Sequence, residues 1–258
     1  MKYFVLNRHK QKLAIVVELA KKPAGLVFIM HGLGGFKEQP FITTAASVFK
    51  GKNFTVVTFD TANTIGESEG DYAQATVTNY LSDLNDVIGW AKKQGWYREP
   101  FCLVGHSLGS SCSLHYAARH PQKVLAIVPA STTVSGEMMI KRCNPDELKE
   151  WRASGWQILD SHTKLGIDKK LNWPQFEADS LKYDIIPLVD KITMPILMIV
   201  GSRDTFTPPE DQKCLFDKLP GKKELHIIDG GPHTFRDKQH LNQIKKIINN
   251  WLDKVVLA

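Results

Sequence analysis

The sequence predicts an α/β protein in which a mostly parallel sheet carries helices on both faces. Short apolar runs alternate with amphipathic segments along most of the chain. Runs such as Leu26–Met30 are continuously apolar, which is typical of strands buried on both faces. The stretch Phe101–Pro121 has the pattern of a strand, a sharp turn and a helix. In such a sheet, reactive groups are expected at the carboxyl ends of the strands.

The predicted strands begin with an antiparallel hairpin. Its strands are Tyr3–Leu6 and Leu13–Leu19, and a polar turn joins them. The later strands are expected to be parallel because helices separate them. They are Leu26–Met30, Phe54–Asp60, Phe101–Val104, Val124–Val128, Pro195–Val200 and Glu224–Ile228.

Helices are predicted where apolar residues recur at helical spacing. Between Val77 and Ala91 these residues fall on one face, and Gly95 lies just past the end. The small residues after Ser107 favour a closely packed helix that stops at Pro121. The other predicted helices are Glu38–Lys50, Pro208–Lys218 and Asp237–Asp253.

The regular alternation stops between about Ser131 and Asp184. No clean strand is evident there, and three of the six tryptophans fall within it. We expect residues 1–258 to form a single domain, with a mostly helical lid or cap insertion at about 131–184. Because the segment joins two parallel strands, it must pass near the carboxyl edge of the sheet.

Composition favours a soluble globular protein over a membrane or nucleic-acid-binding protein. Of the 258 residues, 43% are hydrophobic and 23% are charged, and no apolar run approaches the roughly 20 residues that span a bilayer. The short apolar stretch near Met1 is too brief for a signal peptide, so we expect a cytoplasmic protein without stable membrane insertion. The net charge of +6 is scattered, which argues against nucleic acid as a partner. The four cysteines are expected to be reduced, and the oligomeric state is left open.

Ser107 is the predicted nucleophile. The turn Gly105-His106-Ser107-Leu108-Gly109 fits G-x-S-x-G between a strand and a helix, which is the context this motif requires. Such a turn strains the serine backbone and exposes its hydroxyl at the tip of the sheet. Its glycines are needed because side chains there would meet the neighbouring strand and helix.

A second match to the motif surrounds Ser68. No helix begins at Ser68, and Glu67 and Glu69 flank it with negative charge that would oppose an alkoxide. We interpret Ser68 as an ordinary loop serine, so the pattern alone is weak evidence.

The oxyanion hole is expected at two backbone N–H groups, those of Leu33 and Leu108. Leu33 lies in the Gly-rich turn His31–Gly35 after a strand, and Leu108 directly follows the predicted nucleophile. His31 is expected to brace the turn, and His106 to be structural or to line the pocket.

Asp204 and His233 are the predicted acid and base. Each follows a predicted strand, and the chain order Ser107, Asp204, His233 is that of one specific fold. Asp229 and Asp60 also follow strands and remain rival acids.

With these motifs in place, the chain resembles the α/β-hydrolase superfamily over essentially its whole length. The nearest likeness is to bacterial feruloyl/cinnamoyl esterases and serine-aminopeptidase-like hydrolases. The residues that carry it are HGLGG, FDTANTIGESEGDY, VTNYLSDLNDVIGWAKKQGW, LVGHSLGS, GSRDTFTP and GGPHTF.

The resemblance implies the α/β-hydrolase fold and a serine hydrolase that needs no metal or cofactor. We expect a small-molecule carboxylic ester with a small to medium apolar or aromatic acyl group as substrate. Thioesterase, monoacylglycerol lipase and peptidase activities remain open, as does a non-catalytic receptor or scaffold of the same fold.

Overall fold

The computed structural model describes residues 1–160 and 168–256, and within them the main element is an eight-stranded sheet. Two further strands pair separately. The strands are β1 (Lys2–Leu6), β2 (Lys12–Glu18), β3 (Gly25–Met30), β4 (Phe54–Phe59), β5 (Phe101–His106), β6 (Val124–Ala130), β7 (Trp156–Asp160), β8 (Asp168–Asn172), β9 (Ile196–Gly201) and β10 (Lys223–Ile228).

The large sheet confirms the predicted, mostly parallel arrangement with an antiparallel hairpin at its start. Its strands lie in the order β1, β2, β4, β3, β5, β6, β9 and β10. The β1–β2 hairpin is antiparallel, β2 pairs antiparallel with β4, and all the later pairings are parallel. The central strands β3, β4, β5 and β9 are buried along their whole length, which explains their predominantly apolar sequences.

The helices begin where capping groups and prolines allow. Thr76 caps α2 by accepting from Asn79 N, and Asp237 caps α8 through the N–H groups of the first turn. The predicted first helix starts two residues late because Pro40 occupies its first turn. The helices are α1 (Pro40–Gly51), α2 (Val77–Ala91), α3 (Leu108–Arg119), α4 (Gly136–Arg142), α5 (Pro145–Ser154), α6 (Trp173–Ser180), α7 (Pro209–Lys218) and α8 (Lys238–Trp251).

Helices cover both faces of the sheet and form two hydrophobic cores. One core holds the buried faces of α2 and α3, and the other holds those of α1 and α8. Cys102 and Cys112 are buried in these layers, and none of the four cysteines forms a disulfide. None of the helices in the described part of the chain is long and apolar enough to cross a membrane.

The expectation that residues 131–184 contain no strand was wrong. Besides α4, α5 and α6, the segment contains the antiparallel pair β7–β8. The pair is stabilised by tertiary burial: Leu171 of β8 is fully buried and lies opposite the buried Gln157. Residues 161–167, which join the two strands in sequence, lie outside the described residues.

The tryptophans of this segment anchor it. Trp173 is buried in the main core and packs against Trp151, with ring centroids 4.9 Å apart, and against Phe176. The ammonium of Lys170 lies over the ring of Trp156, 4.2 Å from its centroid, in a cation–π contact. These side chains attach the segment to the body and to itself.

A buried histidine in α3 should make the protein sensitive to acid. The ring of His115 packs edge-on against Tyr183 at 5.3 Å, and neither ring nitrogen has a hydrogen-bond partner among the described residues. Burial lowers the pKa of His115 from 6.5 to about 4. The neutral ring therefore contributes its full stabilisation above pH 6.5. As the pH falls towards 4, the free energy of unfolding should decrease by about 3 kcal/mol, because the unfolded state takes up a proton that the folded state does not.

His115→Phe should reduce that loss of stability. Urea unfolding at pH 7 and pH 4 measures it, and the exposed His9→Gln serves as the matched control. Between pH 7 and pH 4, the free energy of unfolding of the variant should fall by about 3 kcal/mol less than that of the wild type. An unchanged difference would contradict the buried, neutral state of His115.

Candidate active site

Ser107 forms the sharp turn between β5 and α3. Its backbone has φ 55° and ψ −119°, a left-handed conformation that costs a non-glycine residue of order 1–3 kcal/mol. The turn is held because Ser107 N donates to Ala130 O of β6 at 2.8 Å. Ser110 fastens the helix to the same residue, accepting from Ala130 N at 3.0 Å and donating to Ala130 O at 2.9 Å.

The two glycines of the turn are required by close packing. A Cβ on Gly105 would lie 2.4 Å from Gly109 O, and a Cβ on Gly109 would lie 2.4 Å from His31 O. These contacts are the steric reason that the sequence motif predicts. They allow the serine to stand at the end of β5 with the helix N-terminus directly behind it.

His233 lies on the loop after β10 and reaches the serine. Its Nε2 is 3.1 Å from Ser107 Oγ. The loop is held from below, since His106 Nε2 lies 2.8 Å from His233 O. A carbonyl only accepts, so His106 carries its proton on Nε2 and donates. Burial, followed by the charge of His233, lowers the pKa of His106 to about 4, so this ring is neutral near pH 7.

Asp204, on the loop after β9, contacts the other side of the His233 ring. Its two carboxylate oxygens lie 3.0 and 2.9 Å from His233 Nδ1. The N–H groups of Phe206 and Thr207 donate to Oδ1 at 3.0 and 2.9 Å, and Thr207 Oγ1 donates to Oδ2 at 2.8 Å. The carboxylate is therefore held on three sides besides the imidazole.

The charge state of Asp204 determines the tautomer of His233. Burial disfavours the carboxylate, but the hydrogen bond and charge of His233 outweigh it and lower the pKa of Asp204. An ionised carboxylate only accepts, so Nδ1 of His233 carries the proton. The Nε2 lone pair then faces Ser107 Oγ, which is the arrangement a general base requires.

The turn His31–Gly35 lies beside the serine. A Cβ on Gly32 would be 2.9 Å from Ser107 Cβ. His31 braces the turn as expected: Nδ1 donates to Gly32 O at 2.7 Å, and Nε2 accepts from Thr61 N at 3.1 Å. Burial lowers the pKa of His31.

The N–H groups around this turn are unequally engaged. Gly34 N donates to Tyr80 Oη at 3.1 Å, and Gly35 N donates to Gly32 O at 2.9 Å. The N–H groups of Leu33 and Leu108 have no hydrogen-bond partner within residues 1–160 and 168–256. They remain available to an acceptor next to Ser107.

The rival residues have structural roles. Ser68 Oγ accepts from Ala14 N at 2.8 Å and donates to Asp60 O at 2.7 Å. The carboxylate of Asp60 accepts from Lys37 N and Lys37 Nζ at 2.7 and 2.9 Å. Asp229 is exposed and contacts Ser202 at 3.4 Å. The structure thus brings Ser107, Asp204 and His233 together, and these three rivals do not contact His233.

Sequence reasoning missed Thr207 and Phe206. Thr207 orients the carboxylate, and Phe206 packs its ring 5.3 Å from the His233 ring while remaining 64% exposed. A hydroxyl three residues after the predicted acid is the one sequence feature that could have indicated Thr207. Within the described residues, no cluster of three or more histidine, cysteine or acidic side chains could hold a metal ion.

Comparison with known proteins identifies a family and several relatives. A family model described as serine aminopeptidase, S33, matches residues 21–173. The mitochondrial palmitoyl-protein thioesterase ABHD10 of Mus musculus is 24% identical, with 97% of this chain and 82% of the relative aligned. An uncharacterized 31.7 kDa protein of Escherichia coli is 25% identical over 89% of this chain and 90% of its own length.

Solved structures establish the fold over nearly the whole chain. Est1E of Butyrivibrio proteoclasticus, with ferulic acid bound, superposes with a TM-score of 0.82 at 19% identity, covering 99% of this chain and 100% of that one. Mouse ABHD10 superposes with a TM-score of 0.79 at 20% identity, covering 98% and 99%. Since the family model spans more than half of the sequence, the chain belongs to the serine aminopeptidase S33 family of the α/β-hydrolase superfamily.

Proposed function

We propose that the protein is a serine hydrolase that cleaves carboxylic esters through an acyl-enzyme on Ser107. The observation that carries the proposal is the chain of contacts from Ser107 Oγ to His233 Nε2, 3.1 Å, and from His233 Nδ1 to Asp204, 2.9 Å. A nucleophile, a base within reach of it and an acid that orients the base are the parts that nucleophilic catalysis requires.

Each group has a defined task in this mechanism. His233 Nε2 takes the proton of Ser107 as Oγ bonds to the ester carbonyl carbon, and the carbonyl π electrons move to the oxygen. The imidazolium, stabilised by Asp204, then gives the proton to the departing alkoxide as the C–O bond breaks. Water repeats the two steps on the acyl-enzyme, which releases the acid and regenerates Ser107.

The N–H groups of Leu33 and Leu108 are the proposed oxyanion hole. Both lack protein acceptors in the described part of the chain, and the close approach of Gly32 to Ser107 brings the turn of Leu33 next to the nucleophile. Donors fixed in this way act on the charge that develops in the transition state, and each is worth about 3–4 kcal/mol.

The substrate that we propose is a small molecule with a small to medium apolar or aromatic acyl group. The exposed ring of Phe206 beside His233 offers an apolar contact next to the reacting atoms. The likeness to Est1E, whose structure holds ferulic acid, supports an aromatic acid as one candidate.

We propose that the chain forms a single domain and that residues 131–184 form a lid over its active site. The strand β8 packs against the turn Tyr72–Gln74. The side chain of Lys169 covers Gly34 so closely that a Cβ added to Gly34 would lie 2.9 Å from Lys169 Cδ. The β7–β8 hairpin therefore reaches the loop that carries Leu33. A segment in this position excludes water and shapes the acyl site.

Shortening the hairpin tests the lid. Replacing Ile158–Lys170 by Asn-Gly retains Gln157, Leu171 and Trp173, which the core needs. The variant should still hydrolyse p-nitrophenyl acetate, but its ranking of acetyl, butyryl, benzoyl and octanoyl esters should flatten, because each methylene in a closed pocket is worth about 1–3 kcal/mol. An unchanged ranking in a folded variant would contradict the lid.

Thioester hydrolysis is the second candidate function. A palmitoyl-protein thioesterase aligns with 97% of this chain, and the same acyl-enzyme steps release a thiolate. Purified protein assayed on matched pairs of p-nitrophenyl esters, acyl thioesters and amino-acid p-nitroanilides separates esterase, thioesterase and peptidase activity. Absence of turnover on all three classes would favour a non-catalytic scaffold.

A further inference from the structure

Lys169 is a half-buried cation on the inner face of the β7–β8 hairpin. It lies two residues from the fully buried Leu171, so the two side chains share one face of β8. The stem of Lys169 runs along Gly34, where the Tyr72 ring also packs. Burial, together with the charge of Arg236, lowers the pKa of Lys169. Its neighbour Lys170 is on the opposite face, over Trp156.

Arg236 is a second cation near the active site. It follows His233 by three residues, is exposed, and is steadied because Nη2 donates to Thr234 Oγ1 at 2.9 Å. It lines a crevice with Gln39 and His106. Gln39 in turn approaches Gly35, next to the glycine that Lys169 covers. Lys169 thus lies at the turn His31–Gly35, and Arg236 lies on the loop that carries His233.

Among residues 1–159 and 169–256, neither cation forms an ion pair with a carboxylate. No salt bridge joins an acid to Lys169 or to Arg236. Lys37, by contrast, is matched by Glu38, Asp60 and Glu67. Holding two like charges together, one of them partly desolvated, costs free energy that a bound anion would offset.

From this arrangement we propose that Lys169 and Arg236 form an anion-binding subsite at the mouth of the active site, so that the enzyme prefers substrates carrying a carboxylate or phosphate beyond the scissile bond. The inference rests on the proposed function and narrows its substrate class. Phe206 then contacts the apolar part of the substrate, and the cation pair contacts its charged end. Arginine offers a planar fork to such anions and lysine a point charge.

Two matched substrate pairs test the subsite and distinguish the sources of the anion. Mono-p-nitrophenyl succinate against p-nitrophenyl butyrate places a carboxylate on the acyl side. Butyryl-coenzyme A against S-butyryl pantetheine places phosphates on the leaving-group side. In the wild type at low salt, at least one charged member should be preferred in kcat/KM. Lys169→Met and Arg236→Gln should each lower that preference by about 10-fold or more.

The control is Lys170→Met, which removes the neighbouring positive charge from the outer face and should leave the charged-to-neutral ratio at the wild-type value. Added NaCl should weaken the wild-type preference, because salt screens exposed charges. The proposal is overturned if the wild type shows no preference in either pair. It is equally overturned if Lys169→Met and Lys170→Met give the same ratios.

An equilibrium measurement separates the subsite from catalysis. Calorimetric titration of Ser107→Ala with monomethyl succinate and with coenzyme A reads anion binding without turnover. At least one should bind about 10-fold more weakly when Lys169→Met is added. Failure of the wild type to hydrolyse the neutral butyrate ester would count against the proposed function. Equal binding with and without Lys169→Met would count against the subsite.

Discussion

Ser107→Ala should abolish hydrolysis of p-nitrophenyl acetate, lowering kcat by about 10⁶-fold. The hydroxyl is the only group at the tip of the turn that His233 Nε2 contacts within the described residues, at 3.1 Å. The turn itself should persist, because Ser107 N keeps its bond to Ala130 O and the flanking glycines keep their close contacts. Steady-state kinetics and a thermal unfolding curve measure the two effects separately.

Ser68→Ala is the matched control, since Ser68 occupies the second G-x-S-x-G match. It should keep most of the activity while losing some stability, because its hydroxyl bonds to Ala14 N and Asp60 O. An inactive Ser68→Ala alongside an active Ser107→Ala would mean that the nucleophile has been assigned to the wrong turn.

Asp204→Asn should lower kcat by up to about 10⁴-fold. The amide oxygen can keep the bonds from Phe206 N and Thr207 N, which are 3.0 and 2.9 Å from Oδ1. The amide NH₂ then faces His233 Nδ1 and turns that nitrogen into an acceptor. The proton moves to Nε2, where it blocks the removal of the serine proton. The loss should appear in kcat, with little change in the unfolding midpoint.

Asp229→Asn provides the comparison for the acid. Asp229 is exposed and touches Ser202, so this variant should stay within a few-fold of the wild type. A crippled Asp229→Asn with a nearly normal Asp204→Asn would show that the acid is misplaced.

The sequence predicted the main sheet well because its strands carry strong local signals. Strands buried on both faces, such as β3 and β9, are uninterrupted apolar runs. The β7–β8 pair was missed because its signal is tertiary. In β8 the one apolar residue is Leu171, and the strand is stabilised by the burial of that side chain against the body. A pattern search along the chain cannot detect such a contact.

The candidate site also has parts that the sequence indicates and parts that it does not. Ser107, Asp204 and His233 could be predicted as candidates because each lies just after a recognisable strand. The contacts that hold them were not found. His106 Nε2 contacts His233 O across a separation of 127 residues. Thr207 Oγ1 donates to Asp204 Oδ2, and this contact depends on the path of the loop after β9. Nothing local in the sequence specifies these distances.

Covalent labelling tests the central claim most directly, because it reads the nucleophile without assuming a substrate. The protein is treated with a fluorophosphonate and examined by intact mass and peptide mapping. We expect one adduct per chain, on Ser107, no adduct in Ser107→Ala and much slower labelling in Asp204→Asn. An adduct on another residue, or an unlabelled protein that still hydrolyses esters, would contradict it.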